Sequence, residues 1–195
     1  MISSKYDWQF ATNVTDENFL KKAKKAGLDP SAASLLYQRG VQTEEALQEF
    51  LEPSLDQLHD PYDLHDMERA VERIRAAIEN YEQILIYGDY DADGMTSASI
   101  VKEALEQLGA ECQVYLPNRF TDGYGPNSSV YKYFIENQGI SLIITVDNGV
   151  AGLEAIELAQ SLGVDVIVTD HHSMPEELPN AYAIVHPEHS GADYP

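Results

Sequence analysis

The sequence is poor in cysteine: Cys112 is the only one among 195 residues. A single cysteine cannot form an internal disulfide, and thiolate-rich zinc or iron–sulfur sites are excluded as well. The sequence also lacks a charged start followed by an apolar run, and no apolar stretch approaches the roughly 20 residues that cross a bilayer. We therefore predict a cytoplasmic protein with no membrane contact, in which Cys112 fills core space.

Positive charge is scarce too, since 12 Lys and Arg against 33 Asp and Glu residues give a formal net charge of −21. Nucleic-acid-binding modules usually present a basic face to phosphates, so this balance argues against an autonomous DNA-binding module. It does suit a metal site, where divalent cations neutralise clustered carboxylates and bridge them to a phosphate. The charge thus lowers the expectation of a nucleic-acid partner without removing it.

The sequence pattern divides the chain into a small helical N-terminal region, residues 1–65, and an α/β domain, residues 66–195. Turn residues separate three short predicted helices in the first region: Glu17–Ala26, Ser31–Arg39 and Glu44–Phe50. Apolar residues at helical spacing then predict one amphipathic helix from Asp66 to about Asn80. The chain stops in a loop-like stretch with no closing helix, so we expect the second domain to be incomplete at its C-terminal end.

Short apolar runs alternate with helical patterns from residue 84 onward. The predicted strands are Ile84–Tyr87, Gln113–Leu116, Leu142–Val146, Val164–Thr169 and Ala181–Val185. The predicted helices between them are Thr96–Leu108, Ser128–Asn137 and Leu153–Leu162. Such alternation favours a mostly parallel sheet with helices on both faces.

Potential metal ligands follow four of the five predicted strands. They are Asp89, Asp91 and Asp93 after the first strand, Asp147 after the third, Asp170, His171 and His172 after the fourth, and His186 after the fifth. Because open α/β sheets place their sites beyond the carboxyl ends of the strands, these side chains should converge at one edge. Carboxylates beside imidazoles suit Mn²⁺, Mg²⁺ or Zn²⁺.

Each motif also has a simpler interpretation. The acidic run opens like a calcium-binding EF-hand loop, but a β-like run precedes it and Ile100 stands where the bidentate Glu belongs. Asp147-Asn148-Gly149 is equally typical of an ordinary turn, and His171 and His172 could be surface histidines. An acidic receiver-like module, in which a carboxylate accepts a phosphoryl group, would explain the acidic turns but not the histidines. The coincidence at three strand ends favours the metal site.

These motifs resemble the DHH phosphoesterase superfamily, and within it the exonucleases specific for single-stranded DNA. The resemblance is carried by Ile84–Gly94, Pro117–Gly125, Thr145–Gly149 and Val168–His172, and by His186-Pro187 with Tyr194-Pro195. The helical lead-in, with Phe50–Leu55 and Asp60-Pro61, is similar as well. The likeness therefore extends over nearly the whole chain.

The resemblance implies a site of two divalent cations, Mn²⁺ or Mg²⁺. It assigns as metal ligands Asp89, Asp91, Asp93, Asp147 and His171, with Asp147 bridging. His172 would face the scissile phosphate, and Asp170 would orient the histidines. Arg119 is a candidate phosphate contact, because its planar fork can grip two oxygens, although a solvated loop arginine explains it equally well. Many relatives carry His where this chain has Tyr87, so one coordination position is in doubt.

The resemblance also implies an activity, 5′→3′ hydrolysis of single-stranded DNA in repair and recombination. Further partners would be a repair helicase or a single-strand-binding protein. The alternative within the superfamily is hydrolysis of short oligonucleotides, cyclic dinucleotides or pyrophosphate. Family members have a further metal-binding Asp and additional domains downstream, so we expect residues 1–195 alone to be weakly active or inactive.

Overall fold

The computed structural model describes residues 16–189 and Tyr194. The expectations for residues 1–15 of the helical region, and for 190–193 and Pro195 of the last motif, lie outside the described residues. The chain divides into two compact units between Leu58 and His59. The sequence pattern had suggested a division between 65 and 66.

Three α-helices and the short 3-10 helix Leu55–Gln57 lie in the described part of the first unit, and each α-helix follows a residue whose side chain accepts a backbone N–H of the first turn. The helices are α1 (Glu17–Lys25), α2 (Pro30–Gln38) and α3 (Glu44–Leu51), capped by Asp16, Asp29 and Thr43. Their apolar faces meet in a small cluster of Phe19, Ala23, Ala33 and Leu47. The predicted helices agree with these bounds to within one residue at each end.

A five-stranded sheet forms the second unit. Its strands are β1 (Gln83–Tyr87), β2 (Glu111–Tyr115), β3 (Ile140–Val146), β4 (Asp165–Thr169) and β5 (Ala183–Val185). They lie in the order β2-β1-β3-β4-β5, and all four neighbouring pairs are parallel. The predicted α/β sheet is therefore confirmed.

Helices cover both faces of this sheet. Side chains of α4 (Met67–Glu79) and α5 (Ala92–Gln107) pack on one face, and those of α6 (Ser128–Gln138) and α7 (Leu153–Ser161) pack on the other. Successive residues of a strand point to opposite faces, so Ile84 and Ile86 join the first layer while Leu85 and Tyr87 join the second. Strands buried on both sides explain the continuous apolar runs in the sequence.

The strand order places a topological switch point between β1 and β3. The chain leaves β1 toward β2 on one side, and leaves β3 toward β4 on the other. The loops after β1 and β3 therefore diverge and open a crevice at the carboxyl ends of the strands, where such sheets bind ligands. Receiver-type modules share this order, so the fold alone does not separate the two interpretations.

The start of α5 differs from the prediction. The helix begins at Ala92 rather than Thr96, because Asp91 caps it by accepting the backbone N–H of Gly94 at 3.0 Å. A glycine and two carboxylates favour a loop by propensity, and tertiary packing overrides that preference here. None of the helices in the described residues is both long and apolar enough to cross a membrane.

Candidate metal centre

Three carboxylates meet at the switch point. Asp89 follows β1 and is 2% exposed, Asp91 caps α5 and is exposed, and Asp147 directly follows β3. Each offers one oxygen, and the three oxygens lie within 4.8 Å of one another. Such a group of hard oxygen donors fits a divalent cation of the Mg²⁺ or Mn²⁺ type.

A second group of ligands shares one member with the first. Asp147, His171 and His172 each offer one atom, again within 4.8 Å of one another. His171 Nδ1 lies 3.3 Å from Asp147 Oδ1. Two groups with a common carboxylate would suit two divalent cations.

The side chain of Asp147 is buried without a donor. It is 4% exposed, and neither carboxylate oxygen has a hydrogen-bond partner among the described residues. Burial raises its pKa and nearby Asp91 adds to the rise, while His171 and His172 oppose it. Its φ of 63° lies in the left-handed region, which Asp tolerates better than most residues. An ionised carboxylate buried in this way needs a compensating charge, and a cation would supply it.

Asp170, in contrast, is fully paired. Its Oδ1 accepts the backbone N–H groups of His171 at 2.7 Å and His172 at 3.0 Å and contacts His172 Nδ1 at 2.8 Å. Its Oδ2 accepts the backbone N–H of Val150 at 3.0 Å. Burial acts to raise the pKa of Asp170, but these bonds outweigh it and the pKa is lowered. Asp170 is therefore an ionised anchor for the two histidines rather than a group open to a ligand.

His172 has one ring nitrogen left for chemistry. Its Nδ1 is bonded to Asp170, which raises the pKa of the imidazole against the opposing effect of burial. Nδ1 thus carries the proton in the neutral ring, and Nε2 remains for a metal or a phosphate. The side chain is 40% exposed, so a substrate can reach it.

Two predicted site residues lie at the edge of the site. Asp93 is exposed in the first turn of α5 and belongs to neither ligand group, although it lines a cavity of about 380 Å³ together with Asp147 and His171. Arg119 is exposed in the loop after β2, and its guanidinium carbon lies 5.0 Å from the ring centroid of Tyr90, the neighbour of Asp89. The structure thus brings the loop of Arg119 against the acidic motif.

Tyr87 supplies no ligand to this site. Its side chain is fully buried, its ring packs on Tyr115 and Tyr131, and its hydroxyl donates to the carbonyl of Gly125 at 3.0 Å. Burial raises its pKa. Tyr87 therefore links the loop containing Gly125 to the sheet.

Asn148 and Gly94 keep the carboxylates close together, although neither is among the predicted site residues. The Asn148 amide donates to the carbonyls of Val146 at 2.9 Å and Tyr87 at 3.3 Å, and so joins the ends of β1 and β3. A Cβ on Gly94 would lie 2.4 Å from the backbone nitrogen of Asp89, so only glycine permits this approach. Both residues were visible in the motifs, but their long-range partners were not.

Comparisons with known proteins agree with this geometry. Residues 83–193 match the family described as "DHH family, N-terminal domain". The chain is 42% identical, over its full length, to the single-stranded-DNA-specific exonuclease RecJ of Bacillus subtilis (strain 168), of which it covers 25%. It thus spans about a quarter of the length of that relative.

Solved structures give the same likeness. A crystal structure of exonuclease RecJ bound to manganese superposes with a TM-score of 0.63 at 30% identity, covering 69% of this chain and 34% of that chain. RecJ from Thermus thermophilus in complex with Mn²⁺ superposes with a TM-score of 0.62 at 27% identity, covering 90% of this chain and 24% of that chain.

Proposed function

Since the chain belongs to the DHH family, we propose that it carries the metal centre of a 5′→3′ exonuclease that hydrolyses single-stranded DNA in repair and recombination. The observation that carries the proposal is the pair of ligand groups sharing Asp147 at the switch point. The names of the relatives support the choice of substrate. Cleavage of short oligonucleotides, cyclic dinucleotides or pyrophosphate is the alternative within the family.

The proposed ligands are Asp89, Asp91, Asp147 and His171, with Asp147 in both coordination groups. Two Mn²⁺ or Mg²⁺ ions held there would activate the attacking water and neutralise charge on the phosphoryl oxygens. The carboxylate of Asp147 supports this assignment, because it is buried without a hydrogen bond among the described residues and a cation would compensate its charge. Asp93 adds negative charge at the rim of the same cavity.

His172 would act on the phosphate through Nε2. Asp170 fixes the ring by its bond to Nδ1, so Nε2 can donate to a phosphoryl oxygen when the ring is protonated. Asp170 is then a positioning residue. Arg119 would bind a neighbouring phosphate through hydrogen bonds from its guanidinium group.

A receiver-like role fits the residues less well. That role needs one phosphoryl-accepting carboxylate and a magnesium ion, and it leaves both histidines without a task. Here His171 lies 3.3 Å from Asp147, and both histidines belong to the ligand group of that carboxylate. The proposed exonuclease role also includes contact with a repair helicase or a single-strand-binding protein. It includes a cytoplasmic location as well.

The test is hydrolysis of 5′-phosphorylated single-stranded DNA by the full-length protein with Mn²⁺. We expect release of 5′-mononucleotides, and a loss of about a hundredfold or more in kcat for an Asp91→Ala/Asp147→Ala double variant. Glu79→Gln, an exposed acid on α4, is the matched control and should keep full activity. Full activity in the double variant would refute the site, and a preference for dinucleotides over long strands would favour the alternative substrates.

A further inference from the structure

His186 is a fully buried histidine that the proposed chemistry does not use. It follows β5, its side chain is 0% exposed, and it is one of six buried polar or charged residues in the described part of the chain. Its Nε2 lies 2.7 Å from the carbonyl oxygen of His172, 14 residues earlier. Its Nδ1 lies 3.0 Å from the backbone nitrogen of Glu188. Both ring nitrogens therefore contact backbone groups.

These two contacts determine where the ring carries its proton. A carbonyl oxygen can only accept, so Nε2 must donate to His172. A backbone N–H can only donate, so Nδ1 must accept from Glu188. His186 is then a neutral imidazole with the proton on Nε2, and neither nitrogen is left for a metal or a substrate. The expectation from sequence that His186 could ligate a metal does not agree with this geometry.

The bond from His186 completes the support of the histidine motif. Asp170 holds the motif from one side through its carboxylate, and its own backbone N–H donates to Val185 at 3.2 Å. His186 holds the other end of the motif at the carbonyl of His172. The side chains of His171 and His172 are 60% and 40% exposed, so their positions depend on the backbone of the motif together with the bond from His172 Nδ1 to Asp170.

We propose that His186 is a positioning residue that holds His172 in line with the scissile phosphate. The inference rests on the proposed function, since it assigns to His186 a role in the step that His172 performs. A displacement of about 1 Å in a catalytic group can cost up to a hundredfold in rate. The three-residue strand β5 then does more than extend the sheet, because His186 directly follows it and contacts the carbonyl oxygen of His172.

Two substitutions separate positioning from simple stabilisation. In His186→Gln the Nε2 of the amide reaches as far as Nε2 of the imidazole, so the bond to His172 can re-form. In His186→Asn the side chain ends at the position of Nδ1, so it can accept from Glu188 but cannot reach His172. A stabilising role alone would make the two variants differ in thermal stability without a difference in kcat per folded molecule.

The experiment measures kcat, KM and thermal unfolding for both variants of the full-length protein on 5′-phosphorylated single-stranded DNA with Mn²⁺. We expect His186→Asn to lose about tenfold or more in kcat with KM within about twofold, and His186→Gln to keep roughly a third of kcat or more. Leu105→Ala, in the α5 layer, is the control that lowers stability without changing kcat.

Several outcomes would overturn the inference: wild-type kcat in folded His186→Asn, a tenfold loss in folded His186→Gln, or an equal loss of kcat in Leu105→Ala. If His186→Asn does not fold, kcat of folded His186→Gln decides the inference: roughly a third of the wild-type value or more supports it, and a tenfold loss refutes it. Failure of the proposed function gives a different result, namely no metal-dependent cleavage of single-stranded DNA by the wild-type protein.

Discussion

Asp147→Asn should stabilise the metal-free chain while destroying its response to metal. The substitution keeps the shape of the side chain and removes the charge from a carboxylate that has no donor among the described residues. Asn also tolerates the left-handed backbone that position 147 adopts, at φ 63°. Any change in stability therefore reports the electrostatic cost of the carboxylate rather than backbone strain.

The size of the effect follows from the distances to the neighbouring acids. The ligand oxygens of Asp89, Asp91 and Asp147 lie within 4.8 Å of one another. At an effective dielectric constant of about 20, two unit charges at that separation repel by roughly 3.5 kcal/mol. Asp91 is exposed and solvent screens its charge, so we expect a net gain of about 1–2 kcal/mol, or roughly 2–8 °C in Tm. Mn²⁺ at about 100 times its Kd should stabilise the wild type by about 2.7 kcal/mol and the variant far less.

Thermal unfolding with EDTA and with Mn²⁺ measures both effects, and pH gives a check on the cause. The pKa of Asp147 is raised in the folded state, so its protonated form favours folding and the wild type loses stability as pH rises through that pKa. The advantage of the Asn variant should thus be small near pH 4 and grow toward pH 7.5. An Asn variant less stable than wild type at pH 7.5 in EDTA, or one with an undiminished Mn²⁺ response, would refute the reasoning.

Four further substitutions test how the site and the sheet around it are held together. Gly94→Ala should weaken Mn²⁺ binding about tenfold by titration, because the new Cβ would displace Asp89. Tyr87→Phe should cost about 1 kcal/mol of unfolding free energy in denaturant titrations by removing a bonded hydroxyl, whereas Tyr131→Phe, which removes a buried hydroxyl with no partner in the described residues, should be neutral or stabilising. Arg73→Met should lower the free energy of unfolding by about 1–2 kcal/mol, because it removes the guanidinium partner of the partly exposed Asp165, while Glu82 keeps its bond to Ser141.

Two control variants separate these effects from a general loss of stability or of metal affinity. Ser99→Ala on the exposed side of α5 should leave Mn²⁺ affinity unchanged, and Arg75→Met on the exposed side of α4 should leave stability within about 0.5 kcal/mol of wild type. Equal costs for Tyr87→Phe and Tyr131→Phe would show that the bond to Gly125 contributes nothing. A loss of Mn²⁺ affinity in Arg73→Met would show that the ion pairs at the amino ends of the strands also support the metal site.

The sequence was sufficient for the sheet, and for the convergence of its acidic and histidine motifs, because both follow from local rules. Strand periodicity determines which residues are buried, and parallel strands place their carboxyl ends together. Individual positions were harder to predict, because they depend on contacts between distant residues. Tyr87 packs on Tyr131 and bonds to Gly125, 38 residues away, and no local pattern reveals that partner.

His186 also shows why the role of an individual residue is hard to predict from the sequence. A histidine after a strand suggests a ligand, and only the three-dimensional partners of its two nitrogens reveal that it bonds to backbone groups. Residue type therefore indicates what chemistry a side chain can do, but its hydrogen-bond partners determine what remains available. Asp147 and Asp170 make the point within one residue type, since one carboxylate accepts no hydrogen bond among the described residues and the other accepts four.

The chain can hold its acidic ligands close together without a metal because Asn148 bonds the ends of β1 and β3 to each other. Repulsion among Asp89, Asp91 and Asp147 acts to separate the ends of β1 and β3, and the Asn148 amide opposes it by bonding to both strands. Neutral hydrogen bonds contribute about 1 kcal/mol each, so the two bonds of Asn148 are comparable to the screened repulsion of about 1–2 kcal/mol. The parallel pairing of β1 with β3 adds to this support, and two of the acidic ligands accordingly follow these buried central strands.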